Sequence, residues 1–336
     1  MNLPTAPAEF QKFGCKTPYL KYENGTYYPF PCNQCIYCRQ QKANAWRLRL
    51  ELEFTDWEKS SFLTLTYKEL NPFNENFKKS RSLDYTDCQY FMKKVRDHIK
   101  RKMNDKKIKF FVAGEYGKQS TQRAHWHYLI FGLDGNETEE IAKKWDFGIN
   151  DTQEVCGIEG VARYVSSYVL DKIDLNTNEY YEKHKRTPPL HRGSQGIGLN
   201  SAMRYFLKDF EKQWKHYLKT GEKLPLVWQG REVYLPRYLR NKICEAHGIL
   251  EEVKKDGLNK LGEKVEDAVY LWKTLGTGEI HKDTPKGKYD KPYTYKDGYT
   301  YEIMREAWNF VYGVKIRNKE KKFKQYELDK LTKSVI

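Results

Sequence analysis

The chain has 336 residues, enough for one large domain or a domain with an extension, and enough to bury a sizeable core. Lys and Arg number 60 against 45 Asp and Glu, a net charge of +15, and 26 Tyr raise the aromatic share to 15%. A cationic, ring-rich surface suits single-stranded nucleic acid, whose phosphates pair with cations and whose bases stack, and it equally suits a basic protein with a solvated surface. No apolar run approaches the roughly 18 residues of a membrane span. The opening Met-Asn-Leu-Pro-Thr-Ala-Pro has neither the basic nor the apolar part of a secretory signal, which leads us to expect a cytoplasmic protein.

In chain order, residues 1–40 are rich in Cys, Pro and Tyr and show little helical periodicity. A helix is predicted from about Gln41, with Ala43, Trp46, Leu50 and Phe54 at helical spacing and Arg47, Arg49, Glu51 and Glu53 between them. Ser61 to Tyr67 alternates as a half-buried strand, and residues 71–82 read as a polar loop. Asp84 to about Asn104 reads as a basic amphipathic helix with Phe91, Met92, Val95 and Ile99 inward. A strand at Ile108–Ala113, a loop from Gly114 to Ala124 and a strand at His125–Phe131 follow, an order that favours an antiparallel pair. A short helix at 137–145 and a strand or turn near 147–156 lead to a helix at 159–172.

Residues 173–200 are irregular and polar. Their closing His191-Arg-Gly-Ser-Gln-Gly-Ile-Gly198 spaces glycines like a phosphate loop but lacks the strand–turn–helix context of a dinucleotide fold. A helix at 201–219, a two-strand turn over Val227–Pro236 and a Lys-rich tail with helices near 240–256 and 301–333 complete the chain. No nucleotide-driven motor is expected, because G-x-x-x-x-G-K-[ST] does not occur.

The 7 Cys are odd in number and clustered, which argues for a reducing compartment and for a metal instead of disulfides. Cys32-x-x-Cys35-x-x-Cys38, with Cys15 upstream, supplies four thiolates for a tetrahedral zinc. An iron–sulfur cluster uses similar spacing, but nothing else in the chain suggests electron or radical chemistry, so structural zinc is favoured. Cys88, Cys156 and Cys244 read as ordinary buried thiols. Arg39, Lys42, Arg47 and Arg49, beside the cluster, either contact phosphate or solvate the helix.

His125-Trp126-His127 lies in a strand, whose period of two sends both imidazoles to one face, able to grip one ion. Glu115 ends the preceding strand, so antiparallel pairing brings it near both His. Two imidazoles and a carboxylate suit Mg or Mn, with Mn the more tolerant of nitrogen. Downstream, Tyr164 and Tyr168 at i, i+4 share a helical face, and Lys172 extends the row. A phenol is a poor nucleophile until a cation stabilises its phenolate; metal, two phenols and Lys together are parts for phosphodiester transesterification.

The order Phe-Leu-Thr-Leu-Thr-Tyr, Gly-Glu-Tyr-Gly…Arg-Ala-His-Trp-His, Tyr-x-x-x-Tyr resembles the three motifs of the HUH rolling-circle replication initiators. With the Pro-Cys-Asn-Gln-Cys-Ile-Tyr-Cys-Arg segment it resembles the branch from gokushovirus-like microviruses, over roughly residues 15–240. The resemblance implies an α+β fold: an antiparallel sheet flanked by helices, with an N-terminal Cys-rich zinc-binding segment. It implies His125, His127 and Glu115 as ligands of the catalytic Mg or Mn, and Tyr164 and Tyr168 as nucleophiles assisted by Lys172. The expected substrate is single-stranded DNA at a replication origin, nicked and rejoined through a 5′-phosphotyrosyl link in the cytoplasm of an infected bacterium. Host replication helicase and polymerase are expected partners, and no membrane is.

The expected organisation is a zinc segment at 1–40, a catalytic domain at 41–240 and a basic helical extension at 241–336. The alternatives are a plasmid initiator or single-strand transposase of the same family and, from another class, a non-catalytic zinc-containing nucleic-acid-binding regulator.

Overall fold

The computed structural model describes residues 14–15, 17–23, 26–33, 35–68, 82–117, 123–155, 157, 181–183, 185–272 and 301–312. Two compact units are distinguished, Met1–Cys38 with Leu250–Ile336, and Arg39–Ile249.

In the larger unit, the sheet comprises β3 (Ser60–Tyr67), β4 (Lys109–Tyr116), β5 (Ala124–Phe131), β6 (Gly148–Glu154) and β7 (Leu190–Gly193), in the order β6-β3-β5-β4-β7, every pair antiparallel. With helices packed on it, this is the α+β architecture expected. Strand alternation divides the side chains between two faces. One face presents Leu63, Leu65, Val112, Trp126, Tyr128 and Ile130 to α2 (Tyr85–Lys102) and α3 (Gly135–Ala142), which bring Phe91, Val95, Ile99 and Ile141. Each large side chain fully buried there contributes roughly 1.5–3 kcal/mol. The ends of α2 are set by local chemistry: Asp84 accepts from the Thr86 N–H at 2.9 Å, and Lys100, Arg101 and Lys102 complement the dipole at the last turn. Asp134 and Glu137 form a capping box on α3.

The other face carries Phe111, Ala113, Leu129 and Phe131, covered at one end by Ala43, Trp46 and Leu50 of α1 (Ile36–Phe54). This helix starts five residues before the position expected, because Cys35 and Cys38, three apart, fit a first helical turn that composition alone reads as loop. It is also not a simple amphipathic helix: Glu51 and Glu53 are fully buried. Glu53 accepts from Trp57 Nε1 at 2.7 Å and from the Gly198 N–H at 2.7 Å, and pairs with Lys109 Nζ at 2.8 Å, tying helix to sheet. Glu51 takes Arg47 at 2.8 Å and Arg231 as well. Arg49 lies 4.2 Å from the Trp46 ring and 4.9 Å from that of Tyr238, and donates to the Ile197 carbonyl at 3.1 Å. Arg47 and Arg49 are therefore held by internal contacts.

The strand β7 falls in a stretch read as irregular. Four residues interrupted by Arg and Gly leave no periodic signal, and the pairing of Phe111 with Gly193 and Ala113 with His191 supplies the order. Helix α4 (Leu199–Thr220) and the hairpin β8 (Leu226–Trp228) and β9 (Arg231–Val233) match the reading. The hairpin turns on Gln229 and Gly230, at φ of 49° and 74°, as a tight antiparallel turn requires. Helix α5 (Arg237–Ala246) ends at Gly248, whose φ of 70° stops the helix read as continuous to 256.

In the smaller unit, a hairpin missed in the sequence, β1 (Tyr19–Glu23) and β2 (Thr26–Phe30), packs Leu20 and Tyr28 against α6 (Leu250–Leu271) and α7 (Tyr301–Tyr312). Val265, Ala268, Val269, Met304, Ala307 and Trp308 form its core. The continuation of the last helix expected to 333 lies outside the described residues. No helix among the described residues is long and apolar enough to cross a membrane.

Candidate metal centre

Glu115, His125 and His127 come together on the sheet face that α1 partly covers. The register sets Glu115 directly opposite His125 and Ala113 opposite His127. Glu115 is inside its strand, not past it. Gly114, read as a loop start, is instead required by contact: a Cβ there would stand 2.5 Å from Cζ3 of Trp126. The fully buried indole on the opposite face thus rests on bare backbone, and donates through Nε1 to Tyr67 Oη at 3.1 Å. Tyr67 in turn donates to buried Asp87 at 3.0 Å. The residue between the two His is therefore locked into the core, and the His inherit that rigidity.

Glu115 Oε1 lies 2.8 Å from His125 Nε2 and 3.2 Å from His127 Nε2. An octahedron with bonds of about 2.1 Å has edges of about 3.0 Å, so these spacings fit three ligands on one divalent ion. Hydrogen bonding decides between that and a simple internal bond. His125 Nδ1 lies 3.0 Å from the Arg123 carbonyl, which can only accept, so Nδ1 carries the hydrogen. A neutral His125 then directs the Nε2 lone pair at a carboxylate oxygen. Two acceptors at that distance need a cation between them, either a second proton on the ring or a metal. His127 is 5% exposed; its Nδ1 is 3.1 Å from Thr64 Oγ1 and its ring stacks on Phe62 at 5.5 Å. Arg123 and Thr64 are the outer contacts that aim ligating imidazoles. Sequence reading missed both; the alternation of Phe62 and Thr64 in Phe-Leu-Thr-Leu-Thr-Tyr carries the signal, since it puts them on the His face.

Tyr164, Tyr168 and Lys172 lie outside the described residues, as does Cys156.

The second group is in the smaller unit. Cys15, Cys32, Cys35 and Cys38 present four sulfurs, all within 4.8 Å of one another. Cys32 and Cys38, and Cys35 and Cys15, are each 3.9 Å apart. Zinc bonded to four thiolates at about 2.3 Å gives sulfur–sulfur edges of about 3.8 Å, so the donors fit. The Cys32 N–H approaches Cys15 Sγ and the Cys35 N–H approaches Cys32 Sγ, each at 3.2 Å, as around thiolates. Contact with Cys15 pulls the Cys32 thiol down, while contact with Cys32 pushes Cys15 up to about 11 and contact with Cys15 pushes Cys38 up. Without a cation the cluster favours one thiolate; a divalent ion removes that limit. Gly14 leaves room for Tyr37, whose ring would be 2.2 Å from a Cβ there.

The fold and the site together define an α+β protein with a sheet-borne two-His, one-carboxylate centre and a separate four-Cys group, both able to hold a metal. Residues 60–173 match the family model of the replication-associated protein ORF2, a segment that includes all of the His and Glu centre. The chain is similar to replication-associated protein ORF4 of Chlamydia phage 1, 26% identical over 64% of this chain and 53% of that one. It is similar as well to replication-associated protein VP4 of Bdellovibrio phage phiMH2K, 28% identical over 66% of this chain and 69% of the other. The chain thus spans about half the length of the first relative. The resemblance carried by the motif order holds: the chain is similar to replication-associated proteins of phages. A solved structure, the N-terminal nuclease domain of minute virus of mice non-structural protein 1, overlaps 51% of this chain and 83% of its own at 13% identity, with a TM-score of 0.19, too low to carry an argument.

Proposed function

We propose that the protein is a rolling-circle replication initiator of a small single-stranded DNA phage, a metal-dependent endonuclease and strand transferase acting at the origin. The observation that carries this reading is the Glu115–His125–His127 geometry, in which a carboxylate and an oriented imidazole lone pair converge at 2.8 Å. The phage relatives support the replication setting.

A divalent ion, Mg or Mn, would polarise the scissile phosphodiester and neutralise charge developing on its oxygens. The chain's own residues do the rest. Arg123 and Thr64 hold the two imidazoles in the ligating tautomer. Trp126, anchored in the core, keeps both on one face. Tyr164 or Tyr168 attacks phosphorus: the phenol oxygen forms the new bond, the bond to the 3′ oxygen breaks, and the phenol proton is balanced by the one the 3′ oxygen takes up, with Lys172 assisting. The 5′-phosphotyrosyl link conserves the bond energy, so a later 3′-hydroxyl attack rejoins the strand without ATP. The second Tyr can cut the regenerated origin. The four-Cys group holds structural zinc. The protein works in the cytoplasm of the infected bacterium, with host helicase and polymerase as partners.

The test is incubation with circular single-stranded DNA and Mn or Mg, followed by denaturing electrophoresis. A covalent adduct that needs the metal, and is lost when Tyr164 and Tyr168 are both changed to Phe, is expected. Adducts that persist in the double variant, or none from zinc-loaded folded protein across candidate origins, would refute the assignment.

A further inference from the structure

On α2, Lys93, Arg96 and Lys100 recur at i, i+3 and i+7, and Tyr85 and Gln89 continue the row toward the helix start. The spacing puts them on one flank of the helix. All three cations are exposed. Cations on the other side of the helix meet acids: Lys94 pairs with Asp146, His98 Nε2 is 2.9 Å from Glu140, and Arg101 is 3.8 Å from Asp97. Lys93, Arg96 and Lys100 have no ion pair among the described residues. The acids nearest in sequence serve the fold, Asp84 as the cap of α2 and Asp87 as the buried partner of Tyr67.

The edge strand β7 adds a fourth cation. Arg192 is opposite Val112 in register, hence on the sheet face that α2 covers, and its guanidinium lies 5.5 Å from the centre of the Tyr85 ring. Arg192 too has no ion pair among the described residues. Burial pushes the Tyr85 phenol up, and Arg192 and Arg96 act against that; no carboxylate acts on it. The row from Lys93 to Lys100 runs about 10 Å along the helix. Like charges so aligned repel one another, and a polyanion relieves the repulsion. Flexible ammonium stems and planar guanidinium forks contact phosphate without regard to base identity. Tyr85 sets a ring at one end, as in sites that follow single strands.

We propose that Lys93, Arg96 and Lys100 of α2 with Arg192 of β7 form a track for the phosphodiester backbone of single-stranded DNA, on the sheet face opposite the metal centre. Its choice of nucleic acid rests on the proposed function. The track holds strand independently of cleavage, so binding persists without a divalent ion.

The test is fluorescence anisotropy with a single-stranded oligonucleotide and with its duplex, in chelator, over a series of salt concentrations. The full chain is compared with K93Q/R96Q/K100Q. A control of equal charge loss, K208Q/K215Q/K219Q, changes exposed residues of α4. Each phosphate contact contributes about 0.7 to the slope of log affinity against log salt, so the track variant should lose roughly 2 from the single-strand slope and bind at least about tenfold more weakly at low salt. The control should keep a slope near wild type, and Mn affinity and thermal unfolding should match wild type in both. A track variant with an unchanged slope, or a control with an equal loss, overturns this inference while leaving the replication reading intact. Loss of duplex binding alone overturns the single-strand assignment. Wild-type protein that binds no single strand at any salt overturns both readings.

Discussion

Thr64→Val removes one hydroxyl and nearly preserves shape, so it isolates what the Thr64 contact does for the metal centre. In the wild type, Thr64 Oγ1 is 3.1 Å from His127 Nδ1. Accepting from Nδ1–H holds the Nε2 lone pair toward Glu115 Oε1, 3.2 Å away. With Val the ring keeps its plane, because Phe62 still stacks on it at 5.5 Å with 18° between planes. What is lost is the tautomer preference and the partner of a nearly buried N–H. Losing an outer partner of a ligating His weakens metal binding by about 10–100-fold. Retained stacking puts the expectation near the low end, about tenfold or roughly 1.4 kcal/mol. The assay is titration of Mn with free ion followed by electron paramagnetic resonance. Thr66→Val is the matched control: Thr66 is opposite His125 in register, but the Arg123 carbonyl already holds His125 Nδ1 at 3.0 Å. Wild-type affinity is expected there. Thr64→Val binding Mn as tightly as wild type, or Thr66→Val weakening it equally, would refute the argument.

Further outcomes follow from the same geometry. Gly114→Ala puts a Cβ 2.5 Å from the buried Trp126 ring, and urea denaturation should show a loss of about 1–3 kcal/mol; unchanged stability would mean the strand shifts freely. Cys35→Ser should abolish the one zinc per chain measured by metal analysis and lower solubility, whereas full zinc content would exclude Cys35 as a ligand. Burial pulls His191 down to about 3. Its unfolded value is higher, so the unfolded state takes up the proton first, and stability is present near neutral pH and lost as pH falls from about 6.5 toward 3. Wild type should therefore lose about 1–2 kcal/mol between pH 7.5 and 5 relative to His191→Phe, and parallel pH profiles would rule out the buried neutral ring.

The Glu and His group was legible in the sequence because strand periodicity is a local rule. His125 and His127 share a face whatever lies around them, and a neighbouring antiparallel strand brings Glu115 within reach. The limits came from contacts made at a distance. Gly114 looks like a strand end until Trp126 is seen resting on it. The strand β7 has too few residues to show a period, and only its partner β4 defines it. Glu51 and Glu53 read as solvent-facing because charge usually is. They are buried because Arg47, Arg231, Lys109 and a helix-leading N–H are waiting for them. The four cysteines were legible as one group, but the helix beginning at Ile36 was hidden by their turn-like composition.

The direct opposition of Glu115 and His125 also separates two things that a binding site often entangles. The ladder closes beyond them, with Tyr116 opposite Ala124 and the Gly117 N–H on the Arg123 carbonyl at 3.0 Å. The ligands are therefore fixed by pairing on the sheet side of that closure, whatever the length or composition of the stretch that joins the two strands. Insertions between Gly117 and Arg123 can be exchanged as a cassette without moving the metal. A lineage can thus retune which nucleic acid it meets at this rim while the chemistry beneath stays untouched, and a grafted segment becomes a direct way to change target preference.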